Sequence, residues 1–158
     1  MKKKIETNFF CESKLWSRRM NKIKKIVNEI LLIDKCGFNR NKIYHLNLIF
    51  VDNKKIKKIN KIYKKINKPT DVLTFVSFLN KKIKNEAYCD IFFSAEMIKK
   101  DAKTNLINLY DHLTHLIIHC FLHINGYDHK LNSDFLKMKI LEKKILNGLG
   151  IKDPYLYE

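Results

Sequence analysis

Apolar positions recur along the chain with two periods, and the changes of period mark out the elements. Over residues 13–33, Ile23, Ile26, Val27, Ile30 and Leu31 follow the i, i+3, i+4, i+7, i+8 spacing of one helix face. Lys22, Lys24, Lys25, Asn28 and Glu29 fill the other side, Ser13 is placed to cap the start, and Cys36-Gly37 marks the exit. Residues 43–51 (IYHLNLIFV) are rich in β-branched and aromatic types and read as a strand. Asp52-Asn53 then caps a short helix over 54–64, with Ile56, Ile59 and Tyr63 turned inward. A loop closed by Pro69 follows. Residues 71–79 (DVLTFVSFL) and 89–94 (CDIFFS) read as two more strands, joined as a hairpin by the polar stretch 80–88. Ser94 or its neighbours cap a helix running to about Asn105. A second helix covers 109–125. A third, from Ser133 to about Gly148, carries Phe135, Leu136, Ile140, Leu141, Ile145 and Leu149. This order predicts an α+β fold, a small mixed β-sheet packed by helices.

With four Gly, two Pro, no repeat and no flexible linker, residues 1–158 read as a single domain. Apolar residues make up 46%, which excludes a disordered chain. No apolar run approaches the roughly 18 residues of a membrane span. The start, MKKKIETNFFCESK, lacks the apolar centre of a secretory signal. The four cysteines are dispersed with no CxxC, so a reducing, cytoplasmic setting is expected.

The formal charge of +16 changes the picture, because such a field draws polyanions. Only three of the 32 cations are Arg, however. Lys, Ile and Asn, all with A/T-rich codons, supply 66 of the 158 residues, so base composition competes with nucleic-acid binding as the origin of the charge. The densest run is 54–68, with eight Lys in 15 residues and Tyr63 among them. It reads either as a solvated helix face or as a track for an RNA backbone.

The chemistry concentrates in one place. Five of six histidines fall between 112 and 129, and His112, His115, His119 and His123 share one arc of a helix that is otherwise almost wholly apolar. A helix apolar all round is buried, and each buried imidazole without a partner costs roughly 1–3 kcal/mol. A shared metal is the economical partner. His119 and His123 lie one turn apart, and Gly126 can end the helix and turn His129 back toward them, giving H-x3-H-x5-H. His115 and His119 have the same spacing, but a ligand returning after Gly126 reaches the final turn more easily. His115 is then a supporting or substrate-side group, and His112 a weaker one. Three neutral nitrogens with an open fourth position suit one catalytic Zn2+, although nickel, copper and iron also accept imidazole. The H-E-x-x-H proteases carry a Glu base after the first ligand; Cys120 stands there, which weakens a peptidase reading. Asp71 and Asp128 read as turn or cap residues more readily than as bases.

The stretch HLIIHCFLHINGYDH (115–129) resembles the signature of the YbeY family of bacterial rRNA-maturation endoribonucleases. KPTDVLTF (68–75), Asp90-Ile91, Ser94, Met138, Glu142, Gly150, Pro154 and Tyr155 match in order on either side, so the resemblance covers roughly 45–156. It implies a compact α+β domain with a zincin-like metal helix, and zinc on His119, His123 and His129. It also implies cleavage of single-stranded RNA in small-subunit rRNA 3′-end maturation and ribosome quality control. Expected partners are rRNA and the small ribosomal subunit, without a membrane. Three positions depart from the family pattern. Lys64 replaces its usual Arg, a candidate catalytic cation that offsets transition-state charge, and Lys lacks the guanidinium fork. Cys120 and Cys89 replace usual glycines. Two other readings stay open, a ribosome-associated assembly factor with a mainly structural zinc and a metal hydrolase of another substrate.

Overall fold

The computed structural model describes residues 4–77, 85–127 and 131–155, and the statements below concern these. The first strand, β1 (Lys4–Cys11), is the element that the hydrophobic pattern left unmarked. It lies at the sheet edge, where exposed side chains alternate with only half-covered ones, so its period-2 signal is weak. A 3-10 turn, Ser17–Arg19, leads into α1 (Met20–Ile33). The expected helix from 13 therefore starts late. Ser13 does not cap it; its carbonyl accepts from the Trp16 amide at 3.3 Å, and Trp16 is buried against Phe50.

The next strand, β2 (Ile43–Val51), matches the expected bounds. Helix α2 (Asn53–Lys64) is capped as expected, with Asp52 Oδ1 accepting from the Lys55 amide at 2.8 Å. Then come β3 (Val72–Ser77) and β4 (Glu86–Ser94), the latter starting three residues before the expected strand. Residues 78–84, the end of the expected strand 71–79 and the first part of the expected connection 80–88, lie outside the described residues. Helices α3 (Ala95–Thr104), α4 (Leu109–Ile124) and α5 (Asn132–Gly148) complete the order.

The sheet order is β1-β2-β4-β3. β1, β2 and β4 run parallel, and β3 pairs antiparallel with β4, which makes the sheet mixed. Alternation separates two faces. Tyr44, Leu46, Leu48 and Phe50 of β2, with Cys89, Ile91 and Phe93 of β4, belong to the main core shared with α1, α4 and α5. Val51, Ile56 and Leu73 form a smaller core, joined by Ile49, Ile59, Phe75 and Phe92, beneath α2. On β3 the same rule sends Phe75 to the α2 side, while Thr74 hydrogen-bonds the Cys120 thiol on α4.

Two expected faces change. Tyr63 does not point inward; it is 66% exposed at the end of α2, because the sheet beneath that last turn ends at its edge strand β3. On α5 the buried residues are Met138, Glu142, Ile145 and Leu146, whereas Phe135, Leu136 and Ile140 are exposed. The buried face is the one turned to α4, and it includes a carboxylate.

Candidate metal centre

Helix α4 is held at both ends before it presents any chemistry. Asn108 Oδ1 accepts from the amides of Tyr110 (2.9 Å) and Asp111 (3.3 Å) at the start. At the end Gly126 takes φ +94°, the left-handed conformation in which glycine carries no steric penalty. Its amide donates to the His123 carbonyl, and the Tyr127 amide to the Leu122 carbonyl, each at 3.1 Å. Asn125 Nδ2 donates to the carbonyl of Cys36, tying this turn to the exit of α1. The chain is thus aimed before it reaches 128–130. His129 and Asp128 lie outside the described residues.

Leu113, Ile117, Ile118, Phe121 and Leu122 are buried, so the apolar majority of α4 forms core as predicted. The histidines occupy the remaining arc. His123 is exposed, and the side chains of His115 and His119 are 18% and 32% exposed. His112 faces inward. Its Nε2 is buried without a hydrogen-bond partner among the described residues, and burial lowers its pKa.

The centre of the site is Glu142, which pattern reading took only as a family match on the last helix. Its side chain is 1% exposed. One carboxylate oxygen lies 2.6 Å from His119 Nδ1, and the other lies 3.0 Å from His115 Nε2. The Tyr155 hydroxyl donates to Glu142 and sits 3.3 Å from His115 Nε2. Tyr155 reaches back from the C-terminal tail, where its amide donates to Asp153 Oδ1 at 2.8 Å. Burial works to raise the Glu142 carboxyl. The hydrogen bonds from His115, His119 and Tyr155 outweigh it and hold the pKa at about 2. An ionised carboxylate needs donors, so both imidazoles turn an N–H toward it.

That requirement fixes the two rings differently. His119 gives its Nδ1 proton to Glu142, so its unprotonated nitrogen is Nε2, in the orientation common to metal-binding histidines backed by a carboxylate. His115 gives its Nε2 instead, and so its outer nitrogen is committed to Glu142 rather than to the face shared by His119 and His123. His115–His119 has the same spacing as His119–His123, the pair expected from the helix end, and the hydrogen bonds give His115 and His119 different outward nitrogens. Among the described residues no three ligating side chains form one group. His119 and His123 are two of the three ligands expected from the sequence, and the third, His129, lies outside the described residues. Nitrogen donors with a carboxylate behind one of them fit a divalent metal such as zinc.

Lys64 stands apart from these rings. Its Nζ lies 5.7 Å from the centre of the Phe75 ring, on the α2 side of the sheet. Cys120 is buried and faces β3, with its thiol raised by burial to about 12. Cys89 is likewise buried, inside the main core and raised to about 12. Both sulfurs fill space that a glycine would leave open. Asp71 acts locally, accepting from the Val72 amide at 2.8 Å. Asp90 accepts from Asn47 Nδ2 at 2.9 Å on the sheet. No described helix is long and apolar enough to cross a membrane.

A family model described as Endoribonuclease YbeY matches residues 10–150. An Endoribonuclease YbeY of Bartonella bacilliformis is 39% identical over 112 residues, spanning 70% of this chain and 71% of that protein. One of Ehrlichia canis is 35% identical over 155 residues, spanning 96% and 97%. A Thermotoga maritima protein solved in solution shares the fold with a TM-score of 0.52 at 24% identity, over 96% of this chain and 98% of that one.

Proposed function

This chain belongs to the YbeY endoribonuclease family, and from that premise we propose that it cuts single-stranded RNA at one zinc ion held by His119, His123 and His129. The reaction serves small-subunit rRNA 3′-end maturation and ribosome quality control in the cytoplasm, with the small ribosomal subunit as partner. The observation that carries the reading is the buried Glu142 carboxylate behind His119, one helical turn from His123. A buried charge of this kind is kept where it orients a ligand.

Bound there, zinc supplies Lewis acidity toward the phosphodiester and a water acidic enough to attack near neutral pH. The chain's own residues do the positioning. Glu142 fixes the tautomer of His119. His115 and Tyr155 supply the other donors that keep Glu142 ionised, so His115 acts as a support rather than on the substrate side. With three donors and no exposure, Glu142 is a positioning residue and does not reach the scissile bond. Lys64 offsets charge on the RNA. Its amine rests over Phe75 at the β3 edge, and its four-carbon stem lets it meet a strand crossing that edge. All eight Lys between 54 and 68 are exposed, which suits a backbone track.

The test compares purified protein with His123→Ala on single-stranded RNA, with metal content and folding measured for both. Cleavage by the parent and none by the folded variant is the expected result. Equal cleavage by both would remove the metal-centred reading. RNA binding without turnover by the parent would favour the assembly-factor reading.

A further inference from the structure

Tyr63 is exposed where the chain's helical pattern would bury it, and its surroundings suit a ligand. Its ring centre lies 5.1 Å from that of Phe75 at 59°, and Phe75 in turn meets Phe92 edge-on at 6.0 Å. The outer ring is therefore braced by a file of aromatics that runs into the smaller core. Despite this contact Tyr63 stays 66% exposed. Ile62 and Ile66 beside it are 60% and 51% exposed. Exposed cations lie within five residues of this apolar shelf's Tyr63 in the chain, Lys61, Lys64, Lys65 and Lys68, and Lys64 Nζ lies 5.7 Å from the centre of the Phe75 ring. An exposed ring near exposed lysine charge is poor chemistry for a protein core and good chemistry for a stacked base between phosphates.

Position adds to this. β3 is the edge strand between the shelf and the histidine helix. Thr74 touches Cys120, the neighbour of His119, and the next residue, Phe75, braces Tyr63 on the other side. One strand of RNA crossing that edge can have a phosphate at the histidines and a neighbouring base on the shelf.

We infer that Tyr63, backed by Phe75 and flanked by Lys64, is a base-stacking subsite that grips a nucleotide flanking the cleaved bond in single-stranded RNA. The inference rests on the nuclease reading for its place beside a scissile phosphate, but stacking is measured without cleavage.

The experiment is fluorescence anisotropy in EDTA with a labelled single-stranded oligoribonucleotide and the same backbone carrying abasic positions. The parent binds the base-bearing strand more tightly. Tyr63→Ala is expected to weaken that strand by about tenfold, the size of one lost stacking contact. It should leave the abasic strand and the salt dependence unchanged, since the lysines remain. Tyr63→Phe restores the preference, which separates stacking from loss of fold. An unaltered preference in Tyr63→Ala overturns the subsite. So does equal weakening on both strands, because the change would then act on backbone binding alone. The two readings fail separately. Base-dependent binding without cleavage when zinc is supplied defeats the nuclease and keeps the subsite; cleavage with an intact preference in Tyr63→Ala does the reverse.

Discussion

His119 Nδ1 and a carboxylate oxygen of Glu142 stand 2.6 Å apart although 23 residues separate them in the chain. The contact joins α4 to α5 behind the proposed metal centre. It decides which nitrogen of His119 faces outward, and so whether the ring can serve as a ligand.

The first prediction concerns this pair. Glu142→Gln keeps the shape but supplies only one acceptor atom and introduces a donor between two imidazoles. Zinc affinity, measured by chelator competition, is expected to fall about 10–100-fold. Unchanged affinity would mean that His119 does not need the carboxylate.

Tyr155→Phe removes one donor to Glu142 and leaves the ring against Lys139, whose Nζ lies 4.1 Å from its centre. A loss of about 1 kcal/mol in urea unfolding is expected. Limited proteolysis should also release the C-terminal tail sooner. A tail as resistant as the parent's would show that the hydroxyl does not anchor it.

Lys64→Ala is expected to lower cleavage of single-stranded RNA and to shallow the salt dependence of binding by about one phosphate contact. Lys64→Arg should equal or exceed the parent, because the fork adds a second hydrogen bond. If both variants cut at the parental rate, Lys64 has no part in the reaction.

His112 carries a pH prediction. Burial lowers its pKa in the folded state, so the unfolded chain binds its proton first as pH falls. Its contribution is present above the ordinary value of 6.5 and is lost as pH drops below it. In chelator, His112→Leu should therefore lose less stability than the parent between neutral pH and about pH 5. Parallel stability curves for the two proteins would count against this.

The thiols give a fifth check. Cys11 is exposed, whereas Cys36, Cys89 and Cys120 are buried, and burial raises the last named pair to about 12. A raised pKa leaves the thiol protonated and unreactive at mildly alkaline pH. Iodoacetamide at about pH 8 should label Cys11 in the native protein, and all four only after denaturation. Early labelling of Cys120 would place it in contact with solvent near the metal centre.

The features legible in the amino-acid order are the local ones. Ile43–Val51 and the helices from Asn53 and Ala95 follow from apolar pattern and from caps supplied by Asp52 and Ser94, and the helix from Leu109 follows from its apolar run. The histidine arc and the turn at Gly126 were legible for the same reason, because i, i+4 geometry and positive φ depend on neighbours in the chain. Tertiary structure decided the rest. Whether β1 pairs at all depends on β2, which lies 39 residues away in register. Tyr63 has an inward period, yet it sits at the end of α2 against the edge strand β3, where no described element covers it. Glu142 sits among the apolar positions of α5 and looks like a surface charge until α4 supplies two imidazoles and the tail a phenol. A buried charge is tolerated only where donors converge on it, and that convergence is a property of the packed fold.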